Sequence, residues 1–417
     1  MLYGSSGVIM SRLTNEEKAS NIYATTEKPT EPEKVTHDTP LEDLNLNWSE
    51  KDLPERIRTK HVHRLHPYLG KYIPQLVEIF LRKFFKSGQT ILDPFCGSGT
   101  TLVQANELGI NSIGYDISAF NVLLTKAKVA NYNIPEAKRE IFDILEKVKF
   151  LTQPKRQMSL FEPKLSLPKL SDIDNQYLNE WFAPQALLEL ITYRNLIYSE
   201  GYKYKDLLKI ILCRSARSAR LTTHFDLDFP NKPQTEPYYC YKHSRICSPT
   251  QEAIKFIKRY SIDTIQRIEE FSMLRTNASV TIEHIDSREA DIPPIHGVIT
   301  SPPYVGLIDY HKQHVYAYHL LGLKDRQEYE IGRASNGTGQ KALQEYKKDI
   351  AKVLAHTENA MLCNGRIIIV ANDKANLYPK IAEMAGVEIE SVVHRHVNRR
   401  TGRRSGNFFE SVFILKK

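Results

Sequence analysis

The chain predicts an open, mostly parallel α/β sheet with helices wound on both faces and a largely helical insertion between its two halves. Three observations predict it. A helical pattern, IPQLVEIFLRKFF, stops at Ser87-Gly88 and gives way to a short apolar strand, TILD, that runs into a glycine-rich turn. The stretch after the turn, TTLVQANELG, reads as a helix closed by Gly109, and NSIGYDIS as a second strand ending in Asp116, which completes a βαβ unit. After a further helix around Phe120 to Ala130 the strand signals lapse, and they return at residues 280–286 (VTIEHID), 297–301 (GVITS), 365–373 (GRIIIVAND) and 409–416 (FESVFILK).

Element order divides the chain. Residues 1–45, rich in Glu, Lys, Thr and Pro, are expected to form a flexible arm or a loosely docked strap, because so few large apolar residues cannot offset ordering entropy. Residues 46–130 carry the first part of the sheet, 131–277 form the helical insertion, including the Pro- and Lys-bearing stretch 153–169, and 278–417 carry the second part.

With 417 residues, 41% hydrophobic and 25% charged, the composition is that of a globular protein. Lys plus Arg exceed Asp plus Glu by 57 to 49, and this formal charge of +8 favours a polyanionic partner. The five scattered cysteines do not read as a disulfide framework and suit a reducing cytoplasm. No apolar run approaches the length of a membrane span and the polar N-terminus lacks a signal-peptide core, so no membrane partner is expected.

The strongest local signal is Asp93-Pro94-Phe95-Cys96-Gly97-Ser98-Gly99-Thr100-Thr101, at the carboxyl end of a strand and leading into a helix, where open α/β sheets bind ligands. Gly97 and Gly99 let the backbone approach a bound molecule, the helix N-terminus offers N–H groups to a carboxylate, and Asp93 can accept from an ammonium. An amino-acid head group satisfies both. Asp116, about twenty residues on, is placed for the two hydroxyls of a ribose, and Asp286, after the third strand, for an adenine amino group. A phosphate-binding P-loop is disfavoured because the turn continues Gly-Thr-Thr without lysine.

The second constellation, Thr300-Ser301-Pro302-Pro303-Tyr304, also ends a strand and converges on the same edge of the sheet. An aromatic amine is a poor nucleophile because its lone pair is delocalised, so activating it requires acceptors for the amine hydrogens. Ser301 and the Pro302 carbonyl supply them, Pro303 helps fix the backbone, and Tyr304 can stack on a base extruded from a duplex.

Together these residues resemble the amino-methyltransferases of bacterial restriction–modification systems, whose cofactor motif is similar to DPFCGSGTT and whose catalytic motif is similar to TSPPY. The segment from His66 to Leu76 looks like the family's additional cofactor-contacting motif. The resemblance covers about half of the chain. It implies a Rossmann-like S-adenosylmethionine-dependent methyltransferase sheet, S-adenosylmethionine as cofactor and double-stranded DNA as partner, with a companion restriction endonuclease acting on the same site. It also implies cofactor contacts at Lys71, Tyr72, Pro74, Pro94, Phe95, Cys96, Ser98, Thr100 and Ile117. Ser at the first position of the catalytic tetrapeptide usually goes with cytosine N4, and Asp or Asn with adenine N6, so Ser301 favours cytosine N4. The chain departs from the family's common layouts in placing its long insertion between the second and third strands. The insertion is the candidate target-recognition region.

Other readings stay open: an adenine N6 enzyme, an RNA base methyltransferase, and a catalytically idle DNA-binding subunit that keeps the cofactor fold. Methylation at cytosine C5 is set aside, since none of the five cysteines follows a proline. Arg214, Arg217 and Arg220, spaced along one helical side, form either a phosphate-binding ridge or a solvated face. Arg395, Arg399, Arg400, Arg403 and Arg404, around an expected hairpin turn at Thr401-Gly402, are the better candidates for DNA backbone contact. The loop from Asp325 to Gln340 can close over DNA or be a plain surface excursion. No metal is expected in the catalytic machinery; Cys240, His243 and Cys247 would ligate zinc only if a fourth ligand such as His224 converged on them.

Overall fold

The computed structural model describes residues 28–153, 174–224, 226–306, 309–397 and 408–417. Its strands are β1 (Thr90–Asp93), β2 (Asn111–Asp116), β3 (Tyr238–Cys240), β4 (Arg245–Cys247), β5 (Val280–His284), β6 (Ile295–Thr300), β7 (Met361–Ala371), β8 (Glu388–Val397) and β9 (Phe408–Lys416). Seven of them form one sheet in the order β5-β2-β1-β6-β7-β9-β8, while β3 and β4 pair separately. Pairing is parallel from β5 across to β7, and β9 lies antiparallel between β7 and β8. The strand order reverses between β1 and β6, the switch point at which such sheets open a crevice at their carboxyl edge.

A parallel strand covered on both faces needs apolar residues in succession rather than alternation, and Ile367 to Val370 supply them. Ile367 and Ile369 pack with Ile350, Leu354 and Ile381 from two helices on one face. Ile368 and Val370 pack on the other face with Val77, Phe80 and Leu81 of α1 (Pro74–Phe84). That helix starts with a proline at its first position, where the missing N–H costs nothing.

Of the two readings of the N-terminal segment, residues 28–48 form the docked strap rather than a free arm. Val35, Leu44 and Leu46 are buried in the same core as α1, and the Thr30 N–H donates to the Asn45 carbonyl at 2.9 Å. Few apolar residues are enough when each finds a pocket, which a polar average composition conceals. Residues 1–27 of that arm, and 154–169 of the Pro- and Lys-bearing stretch, lie outside the described residues.

The insertion is helical as expected, but it does not have a core to itself. Its helices α4 (Ile134–Thr152), α5 (Gln176–Trp181), α6 (Pro184–Ser199), α7 (Lys205–Ala219) and α8 (Ile254–Ser272) share one buried cluster with α2 (Thr100–Glu107) and α3 (Ala119–Val129), which follow the first two sheet strands. Tyr316, Ala317 and Leu320, from α9 (Val315–Leu321) beyond the catalytic motif, complete that cluster. The insertion also carries the β3–β4 pair, which the helical reading missed. Among the described residues no helix is long and apolar enough to cross a membrane.

Candidate active site

Asp93 ends β1 with its side chain 1% exposed. Its Oδ1 accepts from the Thr300 hydroxyl at 2.7 Å and the Phe95 N–H at 3.2 Å, and its Oδ2 accepts from the Thr101 hydroxyl at 2.6 Å and the Tyr72 hydroxyl at 3.1 Å. Burial raises the proton affinity of this carboxyl, and the four donors oppose that rise. These contacts take up the acceptor capacity of a carboxylate. Asp93 therefore does not wait for an ammonium, as the sequence suggested; it ties the ends of β1 and β6 to the glycine turn and to the segment before α1.

The turn itself needs left-handed backbone at Gly97 (φ +48°) and Gly99 (φ +75°). Gly97 lines the cleft and gives its N–H to Asp116 Oδ2 at 2.8 Å. A β-carbon on Gly99 would stand 2.5 Å from the Thr125 methyl, so that glycine serves the packing of α2 on α3 rather than the approach of a ligand. Thr125 donates to the Gly97 carbonyl at 3.1 Å, and the fully buried Lys128 donates to the Ser98 carbonyl at 2.5 Å. With its carbonyls engaged from behind, the turn leaves Ser98 Oγ and Thr100 Oγ1 buried, without a partner, on residues that line the cleft. Two orphaned hydroxyls at a helix N-terminus suit a carboxylate.

The turn borders a cleft that opens to solvent at the carboxyl edge of the sheet. Pro94, Phe95 and Cys96 line it alongside the turn, and Asp116 and Ile117 line it from the end of β2. Asp116 accepts from the N–H groups of Gly97 and Ser118, each at 2.8 Å, and from the Asn121 amide at 3.1 Å. Burial outweighs these bonds and pushes its pKa up to about 6. Asp286 also lines the cleft, held by Arg288 at 2.6 Å, and Arg288 in turn bridges to Asp349 at 3.0 Å.

The opposite wall is formed by Tyr68, Lys71 and Tyr72. Lys71 donates to the His63 carbonyl at 2.8 Å, and burial draws its pKa down to about 8. Pro74 is buried at the start of α1 and does not line the cleft. Ser301 and Pro303 line it from the end of β6, and Pro302 is buried between them. Tyr304 sits behind this wall, packed against the core of β7, with its hydroxyl on Glu410 Oε1 at 3.2 Å and Glu410 paired to Arg395 at 3.0 Å.

Sequence reasoning missed Asn121, Tyr310 and Glu330, all of which line the cleft. Tyr310 stacks on Tyr68 with ring centres 5.7 Å apart. Burial, then the charges of Asp309 and Asp116, push Glu330 up to about 8. Asn121 had a local signal, since the Ser118 hydroxyl caps α3 by accepting the Asn121 N–H. Glu330 had none, although the loop from Asp325 to Gln340 that contains it does form cleft wall at Tyr329, Glu330 and Ile331.

The arginine ridge is not formed. Arg214 pairs with Asp263 and Arg217 with Asp228, each at 2.5 Å. Arg220 is 1% exposed, lies over the Tyr316 ring at 4.5 Å and donates to the Leu227 carbonyl at 2.6 Å. The spacing was correct, but that helical side faces protein. Of the C-terminal arginines, Arg395 is buried against Glu410 rather than free for DNA, and Arg399, Arg400, Arg403 and Arg404, with the turn at Thr401-Gly402, lie outside the described residues.

Replacing Gly99 by alanine should cost about 2–3 kcal/mol of unfolding free energy, combining left-handed strain with the clash on Thr125. In a Thr125→Ala background the loss should shrink. Denaturant melts of the double-mutant cycle measure this, and equal losses in both backgrounds would show that Thr125 is not what excludes a side chain.

Residues 11–127 match the N6/N4 methyltransferase family model, described as DNA methylase. Over 433 aligned positions the chain is 40% identical to the Type II methyltransferase M.MjaII of Methanocaldococcus jannaschii, covering 87% of this chain and 82% of that protein. It is 25% identical to the Type II methyltransferase M.BsoBI of Geobacillus stearothermophilus, over 75% of this chain and 64% of that one. The sheet order, the cleft and these similarities agree: the chain belongs to the Type II DNA amino-methyltransferases of restriction–modification systems, enzymes that use S-adenosylmethionine.

Proposed function

We propose that this DNA amino-methyltransferase acts on the exocyclic N4 of cytosine at a specific site in double-stranded DNA. The observation that carries the reading is Ser301, a neutral hydroxyl at the end of β6 on the wall of the cleft that also holds Gly97, Ser98 and Asp116. S-adenosylmethionine, when bound, supplies an electrophilic methyl group on a sulfonium. The residues that fit it are Ser98, Thr100 and the α2 N-terminus for its carboxylate, Asp116 for the ribose hydroxyls, and Asp286 with Ile117 for the adenine.

In this reading the target cytosine leaves the duplex, because its amine is unreachable within the stack. Ser301 Oγ and the Pro302 carbonyl accept the amine hydrogens, which shifts electron density onto nitrogen as it attacks. Pro302 and Pro303 hold these acceptors at fixed backbone angles. The Tyr304 ring, held behind the wall by Glu410, reaches the base only by swinging off that contact.

With Arg214, Arg217 and Arg220 committed to internal partners, phosphate contact falls to Arg399, Arg400, Arg403 and Arg404. Residues 46–130 and 278–417 serve catalysis, and the region 131–277 reads the target in the cytoplasm of a cell that also carries an endonuclease for the same site.

Labelled cofactor incubated with duplex DNA, followed by nucleoside digestion and mass analysis, should give N4-methylcytosine. N6-methyladenine would overturn the choice of base, label on structured RNA alone would overturn the DNA reading, and no transfer would identify an idle subunit. Ser301→Ala should lower kcat by about a hundredfold or more while cofactor affinity stays within about twofold.

Cofactor affinity should also depend on pH through Asp116. Hydrogen bonds from ribose hydroxyls favour the ionised carboxylate, so binding is full above the raised pKa and weakens as pH falls through about 6. Calorimetry between pH 5 and 8, about one unit below and two units above that value, should show this fall in the parent and not in Asp116→Asn, and an identical pH profile in the two proteins would contradict the assignment.

A further inference from the structure

We propose that His224, Cys240, His243 and Cys247 form a structural zinc site that clamps the β3–β4 hairpin to the loop following α7. Three of the four arise locally. Cys240 closes β3, Cys247 closes β4, and His243 stands in the tight turn between them, next to Ser244 with its left-handed φ of +51°. The fourth, His224, comes from the loop upstream, and the four ligand atoms all lie within 4.8 Å of one another.

The separations are those that a metal imposes. Zinc bonds of about 2.3 Å to sulfur and about 2.05 Å to nitrogen, at a tetrahedral angle, put sulfur and nitrogen about 3.6 Å apart. Cys240 Sγ is 3.6 Å from His224 Nδ1 and 3.6 Å from His243 Nδ1, and His243 Nδ1 is 3.5 Å from Cys247 Sγ. Weak S–H hydrogen bonds do not require two imidazoles to meet one thiol while one of them also reaches a second. The Tyr238 hydroxyl accepts the His224 backbone N–H at 3.0 Å, which secures the loop over the hairpin.

Among the described residues the hairpin has few other contacts to hold its shape. Its strands are three residues each, and a two-stranded pair is marginal without a packed face. Tyr239, Tyr241 and Ile246 are exposed, while Cys240 and Cys247 are buried. The metal takes the place of a hydrophobic core, as in other small metal-stapled elements. Four protein ligands leave no open position, so the site is structural rather than catalytic. What it fixes in place is a tip carrying exposed Tyr239, Tyr241, Lys242 and Arg245, with no acidic residue from 237 to 251.

Another cluster, His61, His63 and Glu107, is the rival location for a bound ion. There the Lys60 ammonium already sits 2.7 Å from the Glu107 carboxylate and neutralises it. Among the described residues no ammonium pairs with the hairpin's ligands, and the one competing contact, the Tyr238 hydroxyl 2.8 Å from His224 Nδ1, is neutral.

The test is the metal content of the full-length protein, purified without a polyhistidine tag under reducing conditions. Elemental analysis should find about one zinc per chain, and absorption spectroscopy at the zinc edge should show two sulfur and two nitrogen ligands. The Cys240→Ser/Cys247→Ser variant should lose the zinc, and His243→Ala should hold it more weakly, with S-adenosylmethionine affinity in both within about twofold of the parent as proof that the sheet has folded. Wild-type protein that takes up no zinc when it is supplied, a sulfur-free coordination shell, or zinc retained in the double cysteine variant would each overturn the proposal. The spectrum of the parent decides the matter even if a variant fails to fold.

Discussion

At the end of β1 the Asp93 carboxylate lies in the interior, where burial favours its protonated form and donated hydrogen bonds are what sustain the ion. Those bonds come from separate parts of the chain: Tyr72 before α1, Phe95 and Thr101 in the glycine turn and the helix it starts, and Thr300 at the end of β6. Hydrogen bonds to a charged group contribute about 1.5–3 kcal/mol each, and a donor left unpaired in the interior costs a similar amount. The cofactor turn and the catalytic tetrapeptide are thereby fixed to one atom group, and the spacing between them is set before any ligand arrives. A site that positions a methyl donor against an amine depends on that kind of preorganisation.

The helical insertion extends the same logic outward. Because α4 to α8 share a core with α2 and α3, the region proposed to read DNA is joined to the cofactor side of the sheet by continuous packing rather than by a linker. Arg214, Arg217 and Arg220 spend their charge on this junction. Arg220 under Tyr316 links the insertion to α9, beyond the catalytic motif. Side chains in contact thus run unbroken from the insertion to the helix that follows the catalytic motif.

Much of this was legible in the sequence. The apolar runs TILD and IIIV, the glycine turn and the acidic end of β2 fix the sheet, its switch point and the position of the cleft, since each is a local pattern with one physical meaning. What the sequence left open depends on long-range partners. Nothing local to Asp93 shows that Thr300, 207 residues away, will occupy it in place of a ligand. Nothing local to the arginines of α7 shows that Asp263 and Asp228 will meet them. Glu330 reaches the cleft from a loop without a motif, Tyr310 from the start of a short helix (Tyr310–Gln313), and His224 meets Cys240 only through the fold. The buried apolar anchors of residues 28–48 were hidden for another reason, the averaging of composition over a polar segment.

The most direct test of the account is to measure the melting temperature and S-adenosylmethionine affinity of Thr300→Val and Asp93→Asn side by side. Thr300 is not among the cleft-lining residues, and its hydroxyl serves Asp93. If Asp93 is the knot that organises the site, both variants lose stability, by about 1–3 kcal/mol for the threonine, and both bind the cofactor more weakly. If instead Asp93→Asn keeps the parental melting temperature and loses only cofactor binding, while Thr300→Val changes neither, Asp93 is a ligand contact and the central claim is wrong.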